Sequence, residues 1–254
     1  MQRPVETIDG WYCLHLFWKI KWAQWNKYSK EKQQKSLEEF KNLLREFKKT
    51  EESKEGSYYL FNVVGHKADL GLMLFRKTLD ELVKIENYLD KQPFFVFLYK
   101  TNSYLSVGEA GTYTGKPQTE RGWNYVNRKI KPASLPKKPY ICFYPMSKLR
   151  IPDANWYTLP YAKRRDLMRI HGKIGRQYAG KIQQYITGSI GLDNYEWAVT
   201  LFADTPLTFK KIMTEMRYSE ASSIYGEFGY FIVGIYLNYS KLKDLFLNNG
   251  GVGL

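Results

Sequence analysis

Only three histidines occur in the 254 residues, His15, His66 and His171, so a histidine-rich metal centre is excluded while a single axial ligand is not. His171 falls between Leu167 at i−4 and Ile174 at i+3, on the apolar stripe of a predicted helix. That position suits a buried structural histidine as well as an inward-facing ligand. His15 follows Leu14 in a strand-like run and reads as structural, and His66 sits in a turn. The run Tyr140-Ile-Cys-Phe-Tyr-Pro-Met-Ser-Lys148 carries more information, because alternation in an extended chain puts Tyr144, Met146 and Lys148 on one face. A phenol, a thioether and a cation then share a surface, or the run is an ordinary strand end with a solvated lysine. Pro145 has no N–H for a ladder, which predicts an edge or the end of a strand there. Gly172 and Gly175 follow His171 inside a helical pattern, where each costs about 1 kcal/mol against alanine, and they point to close approach of a partner or a planar ligand. No nucleophilic triad, phosphate-cradling glycine loop or zinc-hydrolase ligand set can be assembled.

The elements that must position these residues repeat. Gly10 to Ile20 reads as a strand, and Leu37, Phe40, Leu43, Leu44 and Phe47 recur at helical spacing. Apolar runs at Tyr58 to Val64 and Leu70 to Arg76, a helix at Leu79 to Leu89 and a strand at Tyr104 to Val107 complete a βαββαβ order. A polar stretch with Pro and Gly, Thr112 to Lys138, connects to a second round. That round comprises a strand at Tyr140 to Tyr144, a helix around Leu167 to Ile182 and strands at Ile186 to Ile190 and Trp197 to Phe202. A helix at Phe209 to Met216 and a last strand at Phe228 to Tyr236 close it. Two such units predict an α+β fold of tandem ferredoxin-like halves, residues 1–111 and 139–254, joined by a connecting loop at 112–138.

Composition narrows the partners. A hydrophobic share of 44% can bury a core. No run reaches the roughly 18 apolar residues of a membrane span, and the beginning MQRPVETIDG lacks a signal-peptide core, so a cytoplasmic protein without membrane insertion is expected. Cys13 and Cys142 both sit in apolar runs and read as buried small hydrophobes, without a disulfide framework. The formal charge of +14 favours an anionic partner, but no DNA- or RNA-recognition motif accompanies it, and nucleic acid is not expected. Aromatic residues at 17% fit either packed sheets or stacking and redox roles.

Several blocks in order make the chain resemble the chlorite dismutase-like superfamily, and within it the coproheme decarboxylases. They are Glu6-Thr-Ile-Asp-Gly-Trp-Tyr-Cys-Leu-His15, Gly65-His-Lys-Ala-Asp-Leu70, Tyr140-Ile-Cys-Phe-Tyr-Pro-Met146 and Asn155-Trp-Tyr-Thr-Leu-Pro160. Further along come His171-Gly-Lys-Ile-Gly-Arg-Gln-Tyr-Ala-Gly-Lys181, Ile186-Thr-Gly-Ser-Ile-Gly191 and Tyr225-Gly-Glu-Phe-Gly229. The resemblance implies the dimeric α/β-barrel type of ferredoxin-like duplication, porphyrin in the second half alone, and a homopentamer. It makes His171 the proximal iron ligand, Tyr144 the tyrosine that becomes a radical, and Lys148 its partner beside the reacting propionate. Met146, Gln184 and Ser222 fall on porphyrin-contacting positions, as do Pro145 and Ser147 in the same run, while Trp197 and Tyr113 occupy nearby aromatic positions. Either Arg128 or Lys129 takes the place of an arginine that binds a propionate.

The implied reaction is peroxide-dependent oxidation of two propionates of Fe-coproporphyrin III to the vinyl groups of haem b, the iron porphyrin being both substrate and cofactor. Chlorite-degrading relatives carry an arginine where this chain has Gln184, and a neutral amide is a poor holder of an anion, so chlorite chemistry ranks low. A non-catalytic haem or coproheme carrier and a peroxidase-like enzyme are the alternatives for the same pocket.

Overall fold

The computed structural model describes residues 3–247, which form two compact units built from interleaved stretches of the chain. The strands are β1 (Thr7–Ile20), β2 (Gly56–Val63), β3 (Leu70–Arg76), β4 (Leu98–Gly111), β5 (Tyr140–Lys148), β6 (Arg150–Ile151), β7 (Ala154–Asn155), β8 (Ile182–Gly188), β9 (Trp197–Ala203), β10 (Gly226–Phe228) and β11 (Ile232–Tyr236). The helices are α1 (Trp22–Trp25), α2 (Lys30–Glu52), α3 (Leu79–Asp90), α4 (Glu120–Ile130), α5 (Tyr161–Arg176), α6 (Leu207–Met216), α7 (Glu220–Ser223) and α8 (Tyr239–Leu247). The order reproduces two rounds of βαββαβ with short additions, and the fold is α+β. No helix among the described residues is long and apolar enough to cross a membrane.

One unit comprises 14–104, 133–137 and 234–247. Its strands run in the order β11-β2-β3-β1-β4, with β2 and β3 antiparallel from Gly56↔Arg76 to Asn62↔Leu70. The apolar stripe of α2 is buried as its spacing requires, and Ser29 caps the helix by accepting from Lys32 N. A reciprocal capping box between Thr78 and Glu81 starts α3. Trp25, Phe40, Phe94, Phe97 and Phe246 fill the space beneath in tilted and edge-on contacts.

The other unit comprises 3–13, 105–132 and 138–233, and it holds every candidate site residue. Its strands run β10-β5-β9-β8-β4, with the pairings antiparallel. On one side, Ile141, Phe143, Ala198, Thr200, Phe202 and Tyr185 are buried. The opposite side carries Cys142, Tyr144, Val199 and Leu201, packed against Ile174 of α5 and Phe209, Ile212 and Met216 of α6.

Four details depart from the sequence reading. The connecting stretch contains a helix, α4, capped by Thr119, whose polar composition hid it because only Ile130 is buried. The helix around His171 stops at Arg176; a turn with Gly180 at φ 82° leads straight into β8. The last predicted strand is two, β10 and β11, parted at residues 229–231. Pro145 lies inside β5, not at an edge or an end: its partner on β9 is Ala198, and its carbonyl accepts from Gly229 N at 2.9 Å. The ladder tolerates proline because the neighbouring strand breaks where the missing N–H would be needed, and Gly229 fits there since a Cβ would come 2.9 Å from the Pro145 ring.

The C-terminal end of α4 rests directly on the strands. A Cβ on Gly10 would lie 2.0 Å from the Ile130 carbonyl oxygen, and one on Gly108 would lie 2.3 Å from the same atom. Gly108→Ala should therefore cost about 1–3 kcal/mol of stability through overpacking, read from the denaturation midpoint. An unchanged midpoint would mean that α4 is not held by this contact.

Candidate active site

Strand register builds the floor of the site. Cross-strand partners share a face, so the rows Gln184–Leu201–Cys142, Ile186–Val199–Tyr144 and Gly188–Trp197–Met146–Phe228 stand side by side on the face that α5 and α6 approach. The sequence placed Tyr144, Met146 and Lys148 on one surface, and register adds Gln184 and Trp197 to it. Ile186 stays 43% exposed on this face although its partner Val199 is buried. Apolar surface is thus left open at Ile186, in the same cross-strand row as Tyr144 with Val199 between them.

Tyr144 is 6% exposed, stacked on Phe231 at 4.7 Å and tilted against Phe228 at 6.0 Å. Burial, more than the neighbouring Cys142, pushes its phenol well above the usual range, so it stays protonated. Lys148 is 7% exposed; its Nζ donates to the Ala221 carbonyl and sits 4.4 Å from the Trp156 ring centre. Burial lowers its ammonium to about 8, partly offset by Glu196, whose Oε2 accepts from Lys148 N at 2.7 Å. A buried cation resting on a carbonyl and a ring is ready for a stronger, anionic partner.

His171 reaches in from α5. Its Nδ1 lies 2.9 Å from Ser219 Oγ, and that hydroxyl donates its own proton to the Met216 carbonyl at 2.8 Å. Ser219 Oγ can then only accept, so Nδ1 carries the imidazole proton and Nε2 keeps its lone pair. Burial first, and the Lys148 charge second, lower the imidazole to about 4, which keeps it neutral. A neutral imidazole with its second nitrogen anchored is the state a metal ligand requires. Gly175 lets α5 cross close to α6, since a Cβ there would meet Met216 Cε at 3.0 Å.

The remaining candidates divide. Lys129 donates from Nζ to the Gln184 carbonyl at 2.8 Å and lies 5.0 Å from the Tyr185 ring, whereas Arg128 is exposed. Ser222 is buried on α7 beside the Ala221 that holds Lys148. Tyr113 packs against Trp156, Leu167 and Ala221. Ser147 and Pro145 alternate away from the Tyr144 face, and Ser147 Oγ instead accepts from Glu196 N at 3.3 Å. Three residues were missed. Ser219 and Trp156 are described above, and Glu109 lies over Gly188 and accepts from Trp197 Nε1 at 3.1 Å. Burial raises the Glu109 carboxyl. Trp156 alone carried a signal, inside the Asn155 to Pro160 block.

A family model described as chlorite dismutase matches residues 33–237. The chain belongs to the chlorite dismutase family. Within that family it is 45% identical over 249 residues to a coproheme decarboxylase of Staphylococcus saprophyticus, covering 97% of this chain and 99% of that one. A heme-binding protein from Thermus thermophilus superposes with a TM-score of 0.92 at 41% identity, covering 97% of this chain and 98% of that one. A mutant chlorite dismutase from Candidatus Nitrospira defluvii shares the fold, with a TM-score of 0.76 at 20% identity over 95% of this chain and 98% of that one.

The residues fit an iron porphyrin. His171 would offer a neutral Nε2 to iron, the exposed Ile186 would suit a flat macrocycle, and Lys148 would offer a buried cation to its carboxylates.

Proposed function

We propose that this family member is a coproheme decarboxylase, which oxidises two propionates of Fe-coproporphyrin III to vinyl groups with hydrogen peroxide and yields haem b. The observation that carries the reading is Tyr144, a buried, protonated phenol on the strand face that α5 approaches, in a chain 45% identical to a protein of that activity. When bound, the iron porphyrin supplies the oxidising power drawn from peroxide. Because burial disfavours its phenolate, Tyr144 gives up a hydrogen atom, electron and proton together, and the phenoxyl radical takes a hydrogen from a propionate β-carbon. Each propionate carboxylate, with one peroxide and one proton, ends as a vinyl group, carbon dioxide and two waters. Lys148 holds the reacting carboxylate by charge, His171 holds iron, and the pocket keeps the radical beside its target. Gln184 presents a neutral amide, which favours this chemistry over capture of chlorite. Met146, Trp197, Ser222 and Tyr113 border the macrocycle, with Pro145 and Ser147 supplying strand backbone; Lys129 is favoured over Arg128 as a propionate cation. The family resemblance extends the reading to a cytoplasmic homopentamer.

The test supplies ferric coproporphyrin III and peroxide and measures released carbon dioxide: two equivalents per porphyrin are expected, and chlorite should give no oxygen. Porphyrin binding without carbon dioxide release would replace the reading with a carrier, and oxygen from chlorite with a dismutase.

Lys148 gives the reading a pH dependence. Its ammonium is charged below about 8, so carboxylate attraction is present there and is lost as pH rises through that value. Coproporphyrin affinity should decline above about pH 8 in the wild type and stay level there in Lys148→Met, measured by absorption titration. A parallel decline in both proteins would remove Lys148 from carboxylate binding.

A further inference from the structure

Arg164, in the first turn of α5, is 3% exposed. Its chain neighbours Lys163 and Arg165 pair with Glu220 and Asp166, but Arg164 forms no ion pair among the described residues. Its Nη2 donates to the Arg3 carbonyl, and its buried Nε has no acceptor among the described residues. A buried guanidinium with neither a carboxylate nor a full set of acceptors is costly, and its retention calls for a partner.

Its surroundings define which ligand. The guanidinium lies 5.8 Å from the Tyr161 ring centre, and that ring is 5.7 Å from Tyr113. Burial raises the Tyr113 phenol and the nearby Arg164 guanidinium partly offsets this. Tyr113 packs with Trp156 and Ala221, the ring and the carbonyl that hold Lys148 Nζ. Tyr157 packs against the same cluster, and burial, then the Glu196 carboxylate, hold its phenol above the usual range. The nearby carboxylate, Glu196, already serves Lys148 N and approaches Arg150 at 3.9 Å. The chain before Tyr113 is pinned, since the Glu6 carbonyl accepts from Thr112 N at 2.9 Å and from Thr112 Oγ1 at 2.7 Å. Arg164 and Lys148 are thus linked to Tyr113 from two sides, one through Tyr161 and the other through Trp156 and Ala221.

We propose that Arg164 is a positioning residue for a carboxylate of the bound porphyrin, acting through Tyr113. A guanidinium has no lone pair, so it can only donate to the Tyr113 oxygen; the Tyr113 proton is then turned toward an outside acceptor. Arg164 also brings a buried positive charge to Tyr113, which favours the ionised form of that acceptor. The inference rests on the porphyrin reading above.

The test compares two probes, ferric coproporphyrin III and its tetramethyl ester, on the full chain as wild type, Arg164→Lys, Arg164→Met and Tyr113→Phe. Arg164→Met should weaken binding of the acid about tenfold or more, as for loss of a charge-assisted hydrogen bond, and leave the ester unchanged. Arg164→Lys should recover part of the difference, and Tyr113→Phe should reproduce most of it without emptying a cavity. Equal losses for acid and ester, or an acid preference unchanged in both Arg164→Lys and Tyr113→Phe, would reduce Arg164 to a fold-stabilising residue. A wild type that binds neither probe would instead sink the porphyrin reading, and the proposal with it.

Discussion

Tyr144→Phe should abolish decarboxylation, by on the order of a thousandfold or more, and leave the iron porphyrin bound. The substitution removes one oxygen from a ring held between Val199 across the strand and Phe231 at 4.7 Å, so the packing that shapes the pocket survives. What goes is the only group on that ring that can give and retake a hydrogen atom. Burial makes this loss hard to bypass, because a phenol kept protonated is a hydrogen-atom donor at every working pH. Single-turnover kinetics with ferric coproporphyrin III and peroxide, beside an absorption titration of binding, check both halves of the expectation. Wild-type turnover in the variant would take the radical off Tyr144.

On the proposed reading His171 is the iron ligand, so His171→Ala should lower turnover by about a hundredfold or more, with added imidazole restoring part of it. Ser219→Ala should be milder, about ten- to a hundredfold in iron-porphyrin affinity, because it frees the imidazole to rotate and change tautomer without deleting it. The pH dependence has a definite sign. The folded protein holds His171 neutral down to about 4, while the unfolded chain binds the proton nearer 6.5. Between those values the unfolded state carries more protons, so falling pH destabilises the apoprotein progressively until about 4. His171→Ala should reduce the slope of that part of the stability profile, measured by denaturant titration, without abolishing it, because buried His15 is lowered to about 3 and contributes across the same window. An unchanged slope would show that another group carries it.

The residues of one strand were readable because a period of two needs no tertiary information: Tyr144, Met146 and Lys148 follow from alternation. The helical stripe of Leu167 and His171 was equally legible, but its purpose was not. Ser219, which fixes the imidazole tautomer, is 48 residues away and announces nothing locally. Glu109 and Trp197 meet across 88 residues for the same reason. Arg128 and Lys129 were indistinguishable while their segment was taken for a loop. As part of α4, seated by Gly10 and Gly108, they point differently, and only Lys129 reaches Gln184. Pro145 misled because the rule against proline inside a sheet assumes an unbroken neighbouring strand, and here the neighbour is interrupted at Gly229.

If one pocket both holds the iron porphyrin and oxidises its propionates, the porphyrin itself must record the reaction. Mass spectrometry of the porphyrin during stepwise peroxide addition tests this most directly. Two successive losses of a carboxyl group, ending at haem b, are the predicted result. A porphyrin that is bound but unchanged, or bleached without either loss, would contradict it.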